Sequence, residues 1–223
     1  MAKKITGLKV QQKNHQRVNI YLDDEFSFGL SRILAAWLYV GQELSDEKIA
    51  QLQDEDSSEM AYQRSLHFLS YRPRSTTEVR KYLVEHQVPE EKIDAVLDRL
   101  KNNGLLDDNQ FAETWVENRS EFRPRSRRAL AYELRMHGLD DQIIQETLEN
   151  VDEEAMAYQA ALKKSRNLEN LEWQEFRRKL SGFLARRGFG YDIIQPVVNR
   201  IWNEQSSKTS LDFNNTNVEE ETL

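Results

Sequence analysis

Apolar residues between Lys81 and Ile201 fall into one register written three times. The segments are KYLVEHQVPEEKIDAVLDRL from Lys81, YELRMHGLDDQIIQETLENV from Tyr132 and GFLARRGFGYDIIQPVVNRI from Gly182, and their starts lie 51 and 50 residues apart. Apolar positions coincide as Leu83/Leu134/Leu184, Ile93/Ile144/Ile194, Leu97/Leu148/Val198 and Leu100/Val151/Ile201. A fixed period of this size is the mark of a repeat architecture. Inside each unit the spacing is helical: Val79, Tyr82, Leu83 and His86 stand at i, i+3, i+4 and i+7, and so do Ile93, Val96, Leu97 and Leu100. Two amphipathic helices are therefore predicted per unit, parted in the first by Gln87-Val88-Pro89, with Pro89 suited to a first helical turn.

A third helix precedes each pair, MAYQRSLHFLS in the first unit and FAETWVENRSE in the second, and each runs into an aromatic-Arg-Pro-Arg-Ser junction, YRPRS or FRPRS. Proline forbids continuation of the helix before it and serine caps the next one. Ser75 followed by Glu78 reads as a capping box, whereas Ser126 repeats the cap without the glutamate. In the third unit the aligned position is Phe176, so the motif is lost, and Pro196 sits early in the last helix.

Before the repeats the period changes. Arg17 to Leu22 alternates polar and apolar residues between Asn14 and Asp23-Asp24, which predicts two or three short antiparallel strands. Helices are expected over Leu30–Tyr39 and Asp46–Gln53, with Gly41 between them. From Glu204 onward the chain is polar, acidic and unpatterned, as a disordered tail would be. The reading is a mainly α protein: a strand-rich extension over 1–56, three-helix repeats over 57–107, 108–151 and 152–203, and a tail over 204–223. Stacked repeats of this kind form an elongated solenoid.

Composition narrows the chemistry. With no cysteine among 223 residues there is no disulfide, thiol nucleophile or thiolate metal site, and a reducing compartment, the cytoplasm, is favoured. The longest apolar run, Ile33 to Val40, falls far short of the roughly 18 residues that span a bilayer, and MAKKITGLKV has no apolar signal core, so neither insertion nor export is expected. A net charge of −7 argues against a histone-like nucleic-acid binder, but the charge is uneven. Residues 153–203 hold nine basic and six acidic side chains, and 204–223 one basic and five acidic.

No catalytic or metal-ligating constellation stands out. His15, His67, His86 and His137 lack ligand spacing, and the repeat-equivalent pair His86/His137 suits a helix C-terminus. Gly188-Phe189-Gly190 lacks the third glycine of a dinucleotide loop, whereas Gly138 and Gly188 share the repeat position just past a helix. The acidic pairs Glu90-Glu91, Asp107-Asp108 and Asp140-Asp141 fall at helix starts, where they complement the dipole. What remains is basic: Arg72, Arg74, Arg80 and Lys81 in the first unit, Arg123, Arg125, Arg127 and Arg128 in the second, Arg177, Arg178, Lys179, Arg186 and Arg187 in the third. Repeats that stack would align these into one stripe suited to phosphates or carboxylates, while a solvated face with local ion pairs explains them equally well.

The stretch NGLLDDNQFAETWVENR, Asn103 to Arg119, with the repeated RPRS junctions and the three-helix period, resembles the bacterial RecX regulatory proteins. The similarity runs from Ile5 to Trp202, and NIYLDDEFSFGLS resembles the extension of longer members. The resemblance implies three tandem three-helix repeats and a non-enzymatic, cofactor-free protein. It further implies that the partner is the RecA filament on single-stranded DNA, lodged in whose groove the protein inhibits ATP hydrolysis and strand exchange. The basic residues of the three units are then candidate contacts to RecA or to DNA, single- or double-stranded, and the protein is expected to be a monomer. A direct DNA-binding repeat protein and a helical adapter for an unrelated protein stay open as other readings.

Overall fold

The computed structural model describes residues 2–219, with side chains through Ser207. Contacts divide the chain into two compact units, Met1–Asp107 and Asp108–Leu223.

In the first unit an antiparallel sheet of order β3-β2-β1-β4 is formed by β1 (Lys3–Val10), β2 (Arg17–Leu22), β3 (Glu25–Ser31) and the two-residue β4 (Glu43–Leu44). The expected two or three strands are thus four, because Glu43 and Leu44 add to the free edge of β1. Asp23 and Asp24 make the β2–β3 turn with positive φ at both positions, 50° and 67°, the twist that suits a two-residue hairpin. Alternation works as predicted: Val18, Ile20 and Leu22 face inward and pack with Ile5, Phe28, Leu30, Leu44 and Leu52.

The helical expectation over Leu30–Tyr39 needs correction. Leu30 belongs to β3, and only α1 (Arg32–Ala35) is helical, leaving Ile33, Trp37, Tyr39 and Val40 exposed. A larger correction follows. The helix expected at Asp46 and the first helix of repeat 1 are one continuous α2 (Asp46–Ser70), which crosses the expected boundary at 56/57 without a break. Buried acids one turn apart explain its place. Asp56 accepts from Arg17 Nη2 at 2.8 Å and from the Ser31 amide, while Glu59 accepts from Arg99 Nη1 at 2.7 Å. One carboxylate ties α2 to the sheet and the next ties it to the repeat.

Repeat 1 is completed by α3 (Thr76–Glu85) and α4 (Glu90–Asn102). Ser75 accepts from the Glu78 amide and Glu78 reaches back to the Ser75 amide, the predicted capping box. Pro89 is the N-cap of α4 rather than its first helical residue. Val79, Leu83, Ile93, Val96, Leu97 and Leu100 are buried together with Ala61 and Tyr62 of α2.

The second unit holds α5 (Asp108–Phe122), α6 (Arg127–Met136) and α7 (Asp141–Glu149), then α8 (Glu153–Ser165), α9 (Trp173–Arg186) and α10 (Tyr191–Glu219). The equivalences predicted from spacing hold here: Leu134, Ile144, Leu148, Leu184, Ile194, Val198 and Ile201 lie in one core, with Val151 packed partly buried at its edge. His86 and His137 are the C-caps of α3 and α6, and His137 sits edge-on to Trp115 at 4.3 Å.

The third repeat departs where its motif is missing. The Ser75 and Ser126 positions are taken by Phe176, fully buried within α9, which begins three residues earlier and packs its aromatic ring against Trp202 at 5.0 Å. Its N-cap, Glu172, makes no side-chain capping bond. Pro196 lies inside α10 as expected. Glu204, placed in the tail by its polarity, belongs to the repeat, since it accepts from Tyr158 at 2.6 Å and from Arg200 at 2.9 Å. The α10 backbone stays helical to Glu219. The rest of the expected disordered tail falls on side chains from 208 and on residues 220–223, which lie outside the described residues.

Candidate anion-binding site

The junction serines are architectural, being fully buried N-caps, with Ser126 accepting from the Ala129 amide at 3.1 Å. The arginines beside them divide into those the fold holds and those it leaves in water. In the first unit Glu78 is the anchor. Arg72 donates to both of its oxygens, at 2.6 and 3.2 Å, and Arg74 lies 3.7 Å away with its guanidinium over the Phe68 ring at 4.0 Å. Burial, then the neighbouring Arg72, push Arg74 below its ordinary pKa, and Glu78 opposes them. Arg80 bridges Glu90 and Asp94 of α4, and Lys81 is exposed.

In the second junction Ala129 stands where the first has Glu78, so the capping-box carboxylate is absent. Glu133, one turn on, replaces it. It accepts from Arg125 Nε at 2.8 Å, Arg119 Nε at 2.7 Å and Trp115 Nε1 at 2.9 Å. The junction is then locked to the turn after α9: the Ser126 amide donates to the Arg187 carbonyl at 3.1 Å, and Arg187 Nη1 donates to the Pro124 carbonyl at 2.8 Å. Gly188 in that turn has φ +93°, and a Cβ there would lie 2.5 Å from Ser126 Oγ, so only glycine fits. Burial, then the neighbouring Arg125 and Arg123, push the Arg187 guanidinium below its ordinary value. Arg127 donates from Nε to the Val151 carbonyl at 2.8 Å, while Arg123 and Arg128 are exposed.

The third repeat is freer. Arg177, Arg178 and Arg186 project from α9 into solvent; among the described residues Arg177 and Arg186 make no ion pair, and Arg178, 76% exposed, has only a 3.9 Å approach to Glu175. Arg178, Gly182 and Arg186 share one face of α9, at i, i+4 and i+8, with Lys179 beside them and Lys164 opposite on α8. Lys164 was missed from sequence, although its place in the last turn of a helix was legible.

The structure thus gathers the candidates into local clusters of unequal availability. Arg74, Arg80, Arg125, Arg127 and Arg187 are fastened by neighbouring oxygens. Lys81, Arg123, Arg128, Arg177, Arg178 and Arg186 face water, and Arg72 is half-exposed although paired. No cluster of three or more potential metal-ligating side chains exists among the described residues, and no helix among them is long and apolar enough to cross a membrane.

Comparison with known proteins decides the family. The RecX N-terminal domain matches residues 3–45, and the first, second and third RecX three-helix domains match 61–100, 107–148 and 152–198. The chain belongs to the RecX family. It is 32% identical to the regulatory protein RecX of Bacillus subtilis over 92% of this chain and 80% of that one. It is 30% identical to the regulatory protein RecX of Clostridium botulinum, covering 90% and 97% of the two chains. A crystal structure of a regulatory protein RecX superposes with a TM-score of 0.68 at 26% identity, covering 88% of this chain and 99% of that one. The first-repeat match begins at residue 61, within α2, so the continuous helix joins two RecX domains.

Proposed function

We infer that the protein regulates the RecA recombinase without catalysing a reaction itself. It binds the RecA filament on single-stranded DNA and inhibits its ATP hydrolysis and strand exchange. Membership of the RecX regulatory family carries this reading. Its support in the geometry is a set of exposed guanidinium and ammonium groups on an otherwise acidic helical-repeat chain, groups suited to carboxylates or phosphates. The water-facing side chains, Lys81, Arg123, Arg128, Arg177, Arg178 and Arg186, are the contacts of first choice, with Arg72 next. Arg74, Arg80, Arg125, Arg127 and Arg187 act mainly by holding the repeats in shape. The protein works in this reading as a cytoplasmic monomer without a cofactor.

The test is RecA's DNA-dependent ATP hydrolysis as the protein is titrated in. Inhibition below one protein per RecA subunit is the expected result, and hydrolysis unchanged up to an equimolar amount overturns the reading. A direct contact with nucleic acid is the second reading, favoured by the basic face of α9.

A further inference from the structure

Where the sheet meets α2, the first unit holds a cleft of about 310 Å³. Met60, Gln63, Arg64 and His67, at i, i+3, i+4 and i+7, set one face of α2 along it. The lining is completed by Asn14 and Gln16 from the β1–β2 connection, Ser31 from the end of β3 and Tyr82 from α3. Most of the charge in this region is spent. Arg17 Nη2 donates to the Gly29 carbonyl at 2.9 Å and to Asp56 at 2.8 Å. Glu59 accepts from Arg99 at 2.7 Å and from Gln63 Nε2 at 2.8 Å. These ion pairs cancel, so with His67 neutral the charge left over is the guanidinium of Arg64. It is exposed and makes no ion pair, hydrogen bond or ring contact among the described residues.

Ser31 is idle in another way. Its Oγ is buried without a hydrogen-bond partner, and although Ser31 precedes α1 the side chain does not cap that helix. Buried hydroxyls almost always find a partner, so this one is open to a ligand in the cleft it lines.

We propose that the cleft binds a small carboxylic acid with an apolar body. The planar fork of Arg64 matches a carboxylate, and one fork without a second free cation suits a single carboxylate better than a phosphate, which draws several positive charges. The Ser31 hydroxyl and the Gln16 side-chain amide, which also makes no hydrogen bond among the described residues, add donors for the same oxygens. The body of the acid rests on Met60, whose flexible thioether adapts to irregular apolar shapes, and on Tyr82, whose ring is fixed by stacking on Phe68 at 4.1 Å. The volume lies at the low end of small-molecule pockets, which run from about 300 to 1,000 Å³, so the ligand is small. A bound acid braces the joint between sheet and repeat that Arg17 and Asp56 make, and so raises the melting temperature. The site shares no residue with the basic set assigned to RecA, and its test uses this protein alone.

The experiment is a ligand-observed NMR titration of hydrocinnamate and of octanoate into the full chain at neutral pH. At least one of the two acids is expected to bind saturably, with a dissociation constant of about 1 mM or tighter, as suits ligands of about ten heavy atoms. The matching amide keeps the body and loses the charge, and is expected to bind about tenfold more weakly. Arg64→Gln is expected to weaken the acid about tenfold, and Arg64→Lys nearly as much, because an ammonium keeps the charge without the fork. Ser31→Ala is expected to weaken it about threefold while leaving the melting temperature of the free protein unmoved, since the hydroxyl has no partner to lose. Lys101→Gln, the loss of an exposed cation on α4, is the control and is expected to bind as the parent does. Absence of saturable binding by both acids, equal binding of acid and amide, or equal losses in Arg64→Gln and Lys101→Gln overturns the proposal. Undiminished binding in Ser31→Ala, or a lowered melting temperature of that variant, overturns it as well. Tighter binding of phenethyl phosphate overturns it in favour of a phosphate ligand, and tighter binding of acetyl-Phe-Asp-Phe-amide in favour of a protein segment.

Discussion

Arg125 and Arg178 are the same side chain in the same compact unit, yet one is fastened and the other is not. Arg125 donates to Glu133, a carboxylate mostly withdrawn from water and shared with Arg119 and Trp115. Arg178 stands in solvent beside a weakly placed Glu175. The first belongs to the motif that repeats in sequence, the second to the repeat that lost it. Repetition here marks how the first two junctions fold: a proline to stop one helix, a serine to start the next, an arginine to neutralise a partly buried acid. The charges left without a local task are where a ligand can still act.

That contrast presumes that both regions stand on one core. Leu134→Ala and Leu184→Ala remove equivalent, fully buried side chains from the same cluster, and each is expected to cost about 2–5 kcal/mol in urea unfolding. A much smaller loss at Leu184 would show that the third repeat is only loosely joined to the second, and the comparison would lose its footing.

The next effect separates the regions. Glu133→Ala leaves Arg119, Arg125 and Trp115 Nε1 without their acceptor in a partly buried site, at an expected cost of about 2 kcal/mol. Glu175→Ala is expected to leave the unfolding midpoint unmoved, since its partners and the carboxylate itself are solvated. Equal effects from the two would erase the distinction between fastened and free arginines.

The helices of the repeats were legible because their buried positions are apolar at helical spacing, from Val79 to Ile201. The continuity of α2 was not, because its inward face includes Asp56, Glu59 and Ser65, which break the apolar pattern where the helix is most buried. The apolar run Ile33–Val40 misled in the opposite direction, since much of it is exposed rather than helical and packed. The candidate arginines were legible by type but not by availability. Nothing in the FRPRS motif shows that Glu133, seven residues beyond Ser126, closes on Arg125, nor that Arg187 reaches back to Pro124. The basic face of α9 was half legible: Arg178, Gly182 and Arg186 share a helical face in sequence, but Lys164 joins them only through packing of α8 on α9.

The helix starts sharpen the comparison by about 1 kcal/mol. Ser126→Ala removes the bond from the Ala129 amide and is expected to cost about that much. In the third repeat the sign reverses. Glu172 caps α9 without a side-chain bond, so Glu172→Ser is expected to stabilise by about 0.5–1 kcal/mol, read from the shift of the same urea midpoint.

The smallest effect concerns the turn that follows the middle helix of each repeat. Gly138 and Gly188 take positive φ there, 77° and 93°, and the first repeat takes the same conformation at Gln87, with φ 59°. A side chain in this region pays a steric penalty that glycine avoids, while glycine loses more backbone entropy on folding, so the two terms largely offset. Gln87 is exposed, and its replacement leaves no buried contact unmade. Gln87→Gly is therefore expected to stabilise by about 0.5 kcal/mol, seen as a small rise in melting temperature. The reverse change at Gly188 faces a second obstacle, because any Cβ meets the Oγ of Ser126 and the Cβ of Ala129. Glycine in that turn serves the neighbouring junction as well as its own helix end. If Gln87→Gly destabilised the protein instead, the Gln87 side chain would be holding a contact of its own, and the first repeat would not be equivalent to the other two at this turn.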